Sequence, residues 1–271
     1  MSSQSESQEA IKPPVRFKRR MQAALKPTAE FVLLRLCLGT QWLAARAHQW
    51  LMHVQWRYGT TPEHFDHHID LHYSWLSTRN SLGWERGVYS SLVLRGGDVL
   101  ELACGDGFNA RNFYSLRSKK VLACDFDPSA IRTARRRNSA ENVEFLLADI
   151  RTEMPGGIYE NIVWDAAIEH FTPVEIEGIM RNIKTRLTPH GILSGYTIVE
   201  KIDSRKSLCH HEYEFKSKED LKRFLTPHFN NVIVFETIYP NRHNLYFWAS
   251  QGPLPFNEGW PYHTEKITRV G

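Results

Sequence analysis

No stretch of this 271-residue chain is an uninterrupted apolar run of the length needed to cross a bilayer, about 20 residues. The nearest approach, Phe31 to Trp56, is rich in Leu, Val and Trp but is broken by Arg35, Gln41, Arg46 and His48. Cysteine is scarce. Cys37, Cys104, Cys124 and Cys209 show no paired spacing of the zinc type, so no metal is expected and a reducing cytoplasm fits best. The first ten residues are polar and carry acids, unlike a secretory leader. The sequence has no internal repeat, and low complexity is confined to the N-terminal tail. Charge imbalance is small: a formal net charge of +4 and a pI near 8.8, with the excess in Arg16, Lys18, Arg19, Arg20, Lys26 and the Arg135–Arg137 cluster. Runs this short read as solvated faces, and nucleic acid is not an expected partner.

What remains is a chain with 42% hydrophobic and 24% charged residues, enough to bury one sizeable core. Residues 1–28 read as a tail, 29–95 as a helical cap, 96–252 as one α/β domain and 253–271 as a second tail. After Gly96-Gly97 helical patterns alternate with strand-like runs at Asp98–Ala103, Lys120–Cys124, Val143–Ala148, Asn161–Trp164, Gly191–Val199, Val232–Tyr239 and Leu245–Ala249. That alternation predicts a doubly wound, mostly parallel sheet with helices on both faces. The last two runs are separated by only Pro240–Asn244, too short for a parallel crossover, so they pair antiparallel. The helix within 31–56 is expected to pack on protein, its own domain or a second subunit in a homo-oligomer, or else to lie on an anionic membrane surface.

The chemistry concentrates between Asp98 and Asp125. An apolar strand delivers Glu101 into Cys104-Gly105-Asp106-Gly107-Phe108-Asn109, and a second strand ends on Asp125. Gly105 and Gly107 let the backbone turn sharply beside a bulky ligand, and Asn109 opens the following helix, whose first amides face the site. At the tip of its strand Asp125 is placed to accept two hydrogen bonds from vicinal ribose hydroxyls. Asp149 ends the third strand run at the height of an adenine amino group. Glu101 discriminates among nucleotides, because a carboxylate aimed into a pyrophosphate turn would set anion against anion, whereas a cationic ligand welcomes it.

These residues carry a family resemblance. Glu101-x-x-Cys104-Gly105-Asp106-Gly107, followed by Asp125-Phe126-Asp127-Pro-Ser-Ala-Ile, by Ala148-Asp149-Ile150 and by Asn161-Ile-Val-Trp-Asp165-Ala-Ala-Ile-Glu169-His170-Phe171, resembles the class I S-adenosylmethionine-dependent methyltransferases over roughly Gly96 to Ser250. The resemblance implies a seven-stranded sheet whose last strand is antiparallel and a cofactor, S-adenosyl-L-methionine, across its carboxyl edge. The methionine moiety would lie over Gly105–Gly107, the ribose on Asp125 and the adenine near Asp149, Ile150 and Arg151. Cys104, Asn109, Phe126 and Asp165 complete the implied cofactor set. At Asn109 many members carry a third glycine, so the path of the loop differs there. Asp127 competes with Asp125 for the ribose, and the strand-end position favours Asp125.

Methyl transfer asks mostly for orientation and exclusion of water, with a base where the acceptor is a hydroxyl or amine. His170, after the fourth strand, is the candidate base; Glu169 and His170 would otherwise tie their loop to the next helix. In Glu63–Tyr73, His64, His68 and His72 share one helical face, and with Tyr73 they would line a lid over the acceptor. His210 and His211, ahead of a helix capped by Ser217, are the other residues expected to face the acceptor. The expected activity is O-methylation of a small-molecule, glycan or lipid-linked acceptor. Two alternatives stand beside it: an NAD-dependent oxidoreductase, since Gly105-x-Gly107-x-x-Ala110 plus Asp125 fits a loose dinucleotide fingerprint, and a non-catalytic scaffold docking a partner or membrane.

Overall fold

A computed structural model of the chain describes residues 27–58, 82–200, 210–239 and 242–256. The chain divides into two compact units, Met1–Leu51 and Met52–Gly271. The described part of the first belongs to helix α1, Pro27–Tyr58, which runs on past the boundary. Its apolar side chains are exposed, among them Leu33, Leu36, Trp42, Leu43 and Trp50. Arg35 lies over the Phe31 ring and Arg46 over the Trp42 ring, each one helical turn away, at 5.0 and 5.4 Å. No helix among the described residues is long and apolar enough to cross a membrane.

The second unit is a seven-stranded sheet in the order β3-β2-β1-β4-β5-β7-β6. Its strands are β1 Asp98–Leu102, β2 Lys120–Asp125, β3 Val143–Leu147, β4 Tyr159–Asp165, β5 Leu187–Ile198, β6 Asn231–Tyr239 and β7 Arg242–Ser250. The first five pair in parallel; β7 runs antiparallel between β5 and β6, as the short connection demanded. The order reverses between β1 and β4, which opens a crevice at their carboxyl ends.

Period-two alternation sorts the core onto two faces. Leu100 and Leu102 join Ile162, Trp164 and Leu193 under α4, Pro173–Arg186, which contributes Ile176, Ile179, Met180 and Ile183. Val99 joins Val121, Ala123 and Val163 on the opposite face, under Ile131 and Ala134 of α3, Pro128–Arg137. Glu101, two residues after Val99, falls on this second side at the strand's end.

Helix starts follow side-chain capping. Asp127 accepts from the Ser129 N–H and hydroxyl to open α3, and Thr172 and Glu175 form a reciprocal capping box on α4. Ser217 accepts from the Asp220 N–H at the start of α5, Lys218–Leu225.

Three expectations are corrected. Asn109 does not cap a regular helix: it is already in helical conformation, and a π-helical turn, Ala110–Tyr114, and a 3-10 turn, Ser115–Arg117, follow it. The fifth strand, expected from Gly191, begins earlier: residues 188–191 lie inside β5, where the register against β4 jumps between Tyr159 and Asn161. Pro189 has no N–H to give the ladder, so the irregularity falls where the proline requires it. Finally, the expected boundary at Gly96 does not separate α2, Leu82–Ser91, from the sheet. Glu85 of α2 accepts from Thr237 and Tyr246 hydroxyls at 3.0 and 2.8 Å and also from Tyr239, pinning the helix to β6 and β7.

Candidate active site

Four acids are buried at the carboxyl edge of the sheet: Glu101 at the end of β1, Asp106 in the glycine loop, Asp125 at the end of β2 and Asp165 at the end of β4. Each has a different task. Asp125 joins two strand tips, Oδ2 accepting from the Gly105 N–H at 2.8 Å and Oδ1 from the Asp127 N–H at 2.9 Å. A carboxylate has about four acceptor positions, so this bracing leaves capacity for a ligand's hydroxyls. Asp106 shapes the loop by accepting from the Phe108 N–H, while its own carbonyl takes the Asn138 amide. Asp165 Oδ2 is held by Arg86 Nε at 2.9 Å and Nη2 at 2.7 Å and by Asn109 Nδ2 at 2.9 Å.

The glycine loop is sterically forced. Gly105 and Gly107 adopt φ of 55° and 72°. A Cβ on Gly107 would collide with the Phe145 ring and press on Ala134, so this glycine lets the loop sit down on β3 and α3. Two alanines, Ala103 and Ala166, are also left-handed, at φ 55° and 54°. They follow the tips of β1 and β4 directly, so the strain lies where the chain turns around the crevice. Helix α2 forms one wall: Trp84 meets the Phe108 and Phe113 rings edge-on, and Arg86 lies over the Tyr196 ring at 5.5 Å.

Glu101 is the anomaly. Its Oε2 is buried without a partner, and so are Asn109 Oδ1 and Asp165 Oδ1. Burial pushes the Glu101 carboxyl well above its ordinary range, and the Asp165, Asp106 and Asp125 charges add to the shift while Arg86 opposes it. Burial also works against the Arg86 guanidinium, but the charge and hydrogen bond of Asp165 outweigh it and raise its pKa. The edge is thus a low-dielectric region with surplus acceptors and one committed cation. What complements it is a ligand that brings positive charge and several N–H donors.

A family model described as a methyltransferase domain matches residues 99–191, the span from β1 into β5 that holds these acids. Residues 99–191 are therefore similar to a methyltransferase domain. Curated relatives of the domain include a malonyl-[acyl-carrier protein] O-methyltransferase of Bacillus anthracis, 26% identical over 159 residues, and an (S)-coclaurine N-methyltransferase of Thalictrum flavum subsp. glaucum, 30% identical over 121 residues. The matches cover 53% and 43% of this chain but only 58% and 32% of those relatives, about half their length or less. Two solved structures share the fold. A DhpI–SAH complex has TM-score 0.54 and 23% identity over 64% of this chain and 85% of its own; a DhpI–SAM–HEP complex has TM-score 0.53 and 20% identity over 67% and 91%. The residues present at this edge fit S-adenosylmethionine. Its α-ammonium brings the charge and N–H donors that Glu101, Asn109 and Asp165 lack, and its ribose diol matches Asp125.

Other residues expected at the domain's cofactor edge are placed as follows. Cys104 is buried with its thiol pushed well up by burial, and its backbone N–H continues the ladder to Cys124 at 2.9 Å. Phe126 is exposed at the tip of β2, with the Arg151 guanidinium 5.8 Å from its ring centroid. The Ile150 side chain is buried in the large core cluster. Both Asp149 oxygens are taken by Arg151, at 2.9 Å from Nε to Oδ1 and 2.6 Å from Nη2 to Oδ2, which holds its pKa low. An adenine amino group at Asp149 therefore has to share it with that fork. Asp127 caps α3.

Beyond the tip of β4, the structure brings His170, His210 and His211 together. His170 ends the 3-10 turn Ile168–His170, its Nδ1 lies 3.3 Å from the His210 carbonyl, and its ring meets the His211 ring edge-on at 4.8 Å. His211 is buried, its Nδ1 on the Glu214 carboxylate. Burial lowers the His211 pKa against the pull of Glu169 and Glu214, so the ring stays neutral. His210 itself is exposed. His64, His68, His72 and Tyr73 lie outside the described residues. Sequence reasoning missed Arg86, whose partner Asp165 is 79 residues away. The only available signal was a charged pair, Glu85-Arg86, inside an otherwise apolar helix.

Proposed function

We propose that the protein transfers a methyl group from S-adenosylmethionine to an oxygen of a small-molecule acceptor. The partnerless buried Glu101 Oε2 beside the Gly105–Gly107 loop carries the cofactor half of this reading. When bound, the cofactor supplies a methyl group on a cationic sulfur. Glu101 and Asp165 would orient its amino-acid end, Asp125 its ribose, and α2 with Trp84 and Phe108 would keep water from the crevice. The oxygen preference rests on His170. A carbonyl can only accept, so the His210 carbonyl fixes the proton on His170 Nδ1 and leaves a lone pair on Nε2 for the proton of an acceptor hydroxyl. The B. anthracis relative is named for O-methylation and the T. flavum relative for N-methylation, so the acceptor atom is the point under test.

Calorimetry with S-adenosylhomocysteine tests the cofactor half: wild type binds, and Glu101→Gln and Asp125→Asn weaken binding. No binding by wild type, or equal binding by all three, would sink the reading. Labelled S-adenosylmethionine incubated with fractionated metabolites, lipids and glycans identifies the acceptor class, and hydroxylamine and acid stability of the product separate ester, ether and N-methyl groups.

The lipid-linked acceptor class has its own support. Residues 11–58 hold nine Lys or Arg against one acid, Glu30, and helix α1 exposes Trp and Leu side chains. Helix α1 is read as lying on an anionic bilayer surface, its tryptophans and leucines in the interface and its arginines at the headgroups. Flotation with anionic and with neutral vesicles checks this. Equal behaviour on both, or unchanged flotation after removal of residues 1–58, would overturn it.

A further inference from the structure

Glu169, His170 and His211 each offer one ligand atom, and those atoms lie within 4.8 Å of one another. Glu169 and His170 come from the turn after β4; His211 comes from the segment after β5. The backbone N–H groups of Glu212 and Tyr213 donate to the Glu169 carbonyl at 2.9 and 3.1 Å, strapping one segment onto the other. The cluster is therefore fixed by main-chain bonds and does not depend on chance side-chain positions.

Both imidazoles are oriented as ligands. His170 Nδ1 faces a carbonyl and His211 Nδ1 faces the Glu214 carboxylate, so Nδ1 of each ring is engaged and Nε2 is the nitrogen left for a ligand's role. An oxygen acceptor behind the far nitrogen is the device that sets the tautomer and direction of metal-bound histidines. Glu169 is only 4% exposed, and its Oε2 accepts from the Thr197 hydroxyl at 3.0 Å. No Lys or Arg among the described residues pairs with it. A buried Glu169 side chain with two imidazole rings beside it and no Lys or Arg partner among the described residues is a setting that a dication would complement.

We propose that Glu169, His170 and His211 form a divalent-cation site of the open, three-ligand kind, whose remaining positions take an oxygen of the acceptor. Two imidazole nitrogens and one carboxylate oxygen, with no thiolate, suit zinc, manganese, iron(II) or cobalt. A hydroxyl bound there loses its proton to solvent more readily and is held in a fixed direction. In the loaded protein the His170 lone pair is given to the cation, so the metal takes over the task of a base. The site's use rests on the methyl-transfer reading, but its existence does not. The sequence pattern concealed it because its ligands come from two loops and follow no cysteine or histidine spacing.

The test is titration of the chelator-treated full-length protein with cobalt(II) chloride, read by visible ligand-field absorption and by bound metal after desalting. One cobalt per chain is expected, with affinity reduced roughly 10- to 100-fold by Glu214→Gln, which acts through His211, and lost in a His170→Ala, His211→Asn double variant. S-adenosylhomocysteine calorimetry on the same samples shows that the variants remain folded and reads the cofactor edge independently. Absence of bound cobalt in wild type, or equal binding by the double variant, overturns the cation site and leaves the methyl-transfer reading intact. Bound cobalt with no S-adenosylhomocysteine binding does the reverse.

Discussion

On the cofactor side, Glu101, Gly105, Gly107 and Asp125 lie within one βαβ unit, and their positions follow from two strand tips and the turn between them. On the acceptor side, Glu169 and His170 meet His211 and Glu214 across a separation of about forty residues, through a segment that the Glu169 carbonyl straps down. The chemistry differs as much as the construction. The first region gathers four buried acids around a single arginine; the second sets two imidazole rings beside Glu169 and Glu214. A strand-end motif is local and steric, so the same backbone turn builds it wherever the sequence occurs. A loop-on-loop cluster exists only after β4, β5 and the crossing segment have docked, and it is the part of such a domain free to differ between acceptors.

Breaking the cofactor side at Arg86 should have the largest effect. Arg86→Ala leaves Asp165 as a buried anion without its cation and should cost about 3–5 kcal/mol of stability, read by urea denaturation. A loss below about 1 kcal/mol would mean that the Asn109 amide suffices for Asp165. Next is the acceptor side: His170→Ala should lower kcat roughly 100-fold or more while S-adenosylhomocysteine affinity stays unchanged. A parallel fall in that affinity would show that the two regions are not separable.

Glu101→Gln should weaken S-adenosylhomocysteine roughly 10- to 100-fold, the loss of a charge-assisted hydrogen bond. Its effect on stability has the opposite sign. The folded-state pKa of Glu101 stands well above the ordinary 4.5. Between 4.5 and that raised value the unfolded chain has released the proton that the folded chain keeps, so stability falls as pH rises through the window. The neutral Gln has no such slope. The variant should melt above wild type at pH 8 and level with it at pH 4 by scanning calorimetry, so the residue would be kept for ligand binding at a cost in stability. The smallest effect belongs outside both regions: Thr172→Ala removes a capping box and should cost about 1 kcal/mol without changing S-adenosylhomocysteine affinity.

Legibility in the sequence followed locality. The seven strands, the antiparallel closing pair, the turn at Gly107 and the place of Asp125 at its strand's end could be read because alternation, turn glycines and a strand-end acid act over a few residues. Asn109 was read as a helix opener, and in the structure it precedes a π-helical turn and gives its amide to Asp165 across the crevice. Ile150 was read as framing a base, but its side chain follows the core, a choice that strand-end position alone does not make. The Arg151 fork on Asp149 needed only two residues of separation and was visible in principle.

By itself the sequence determined that a parallel sheet would present a glycine turn, Glu101 and Asp125 at one edge, because steric and hydrophobic periodicities fix those over short spans. Only the tertiary structure decided that Arg86 neutralises Asp165, that three acceptor atoms of the crevice are left without donors, and that Glu169, His170 and His211 converge. Each depends on which distant segment packs beside which strand end, and pairwise contacts across tens of residues leave no periodic trace in the chain.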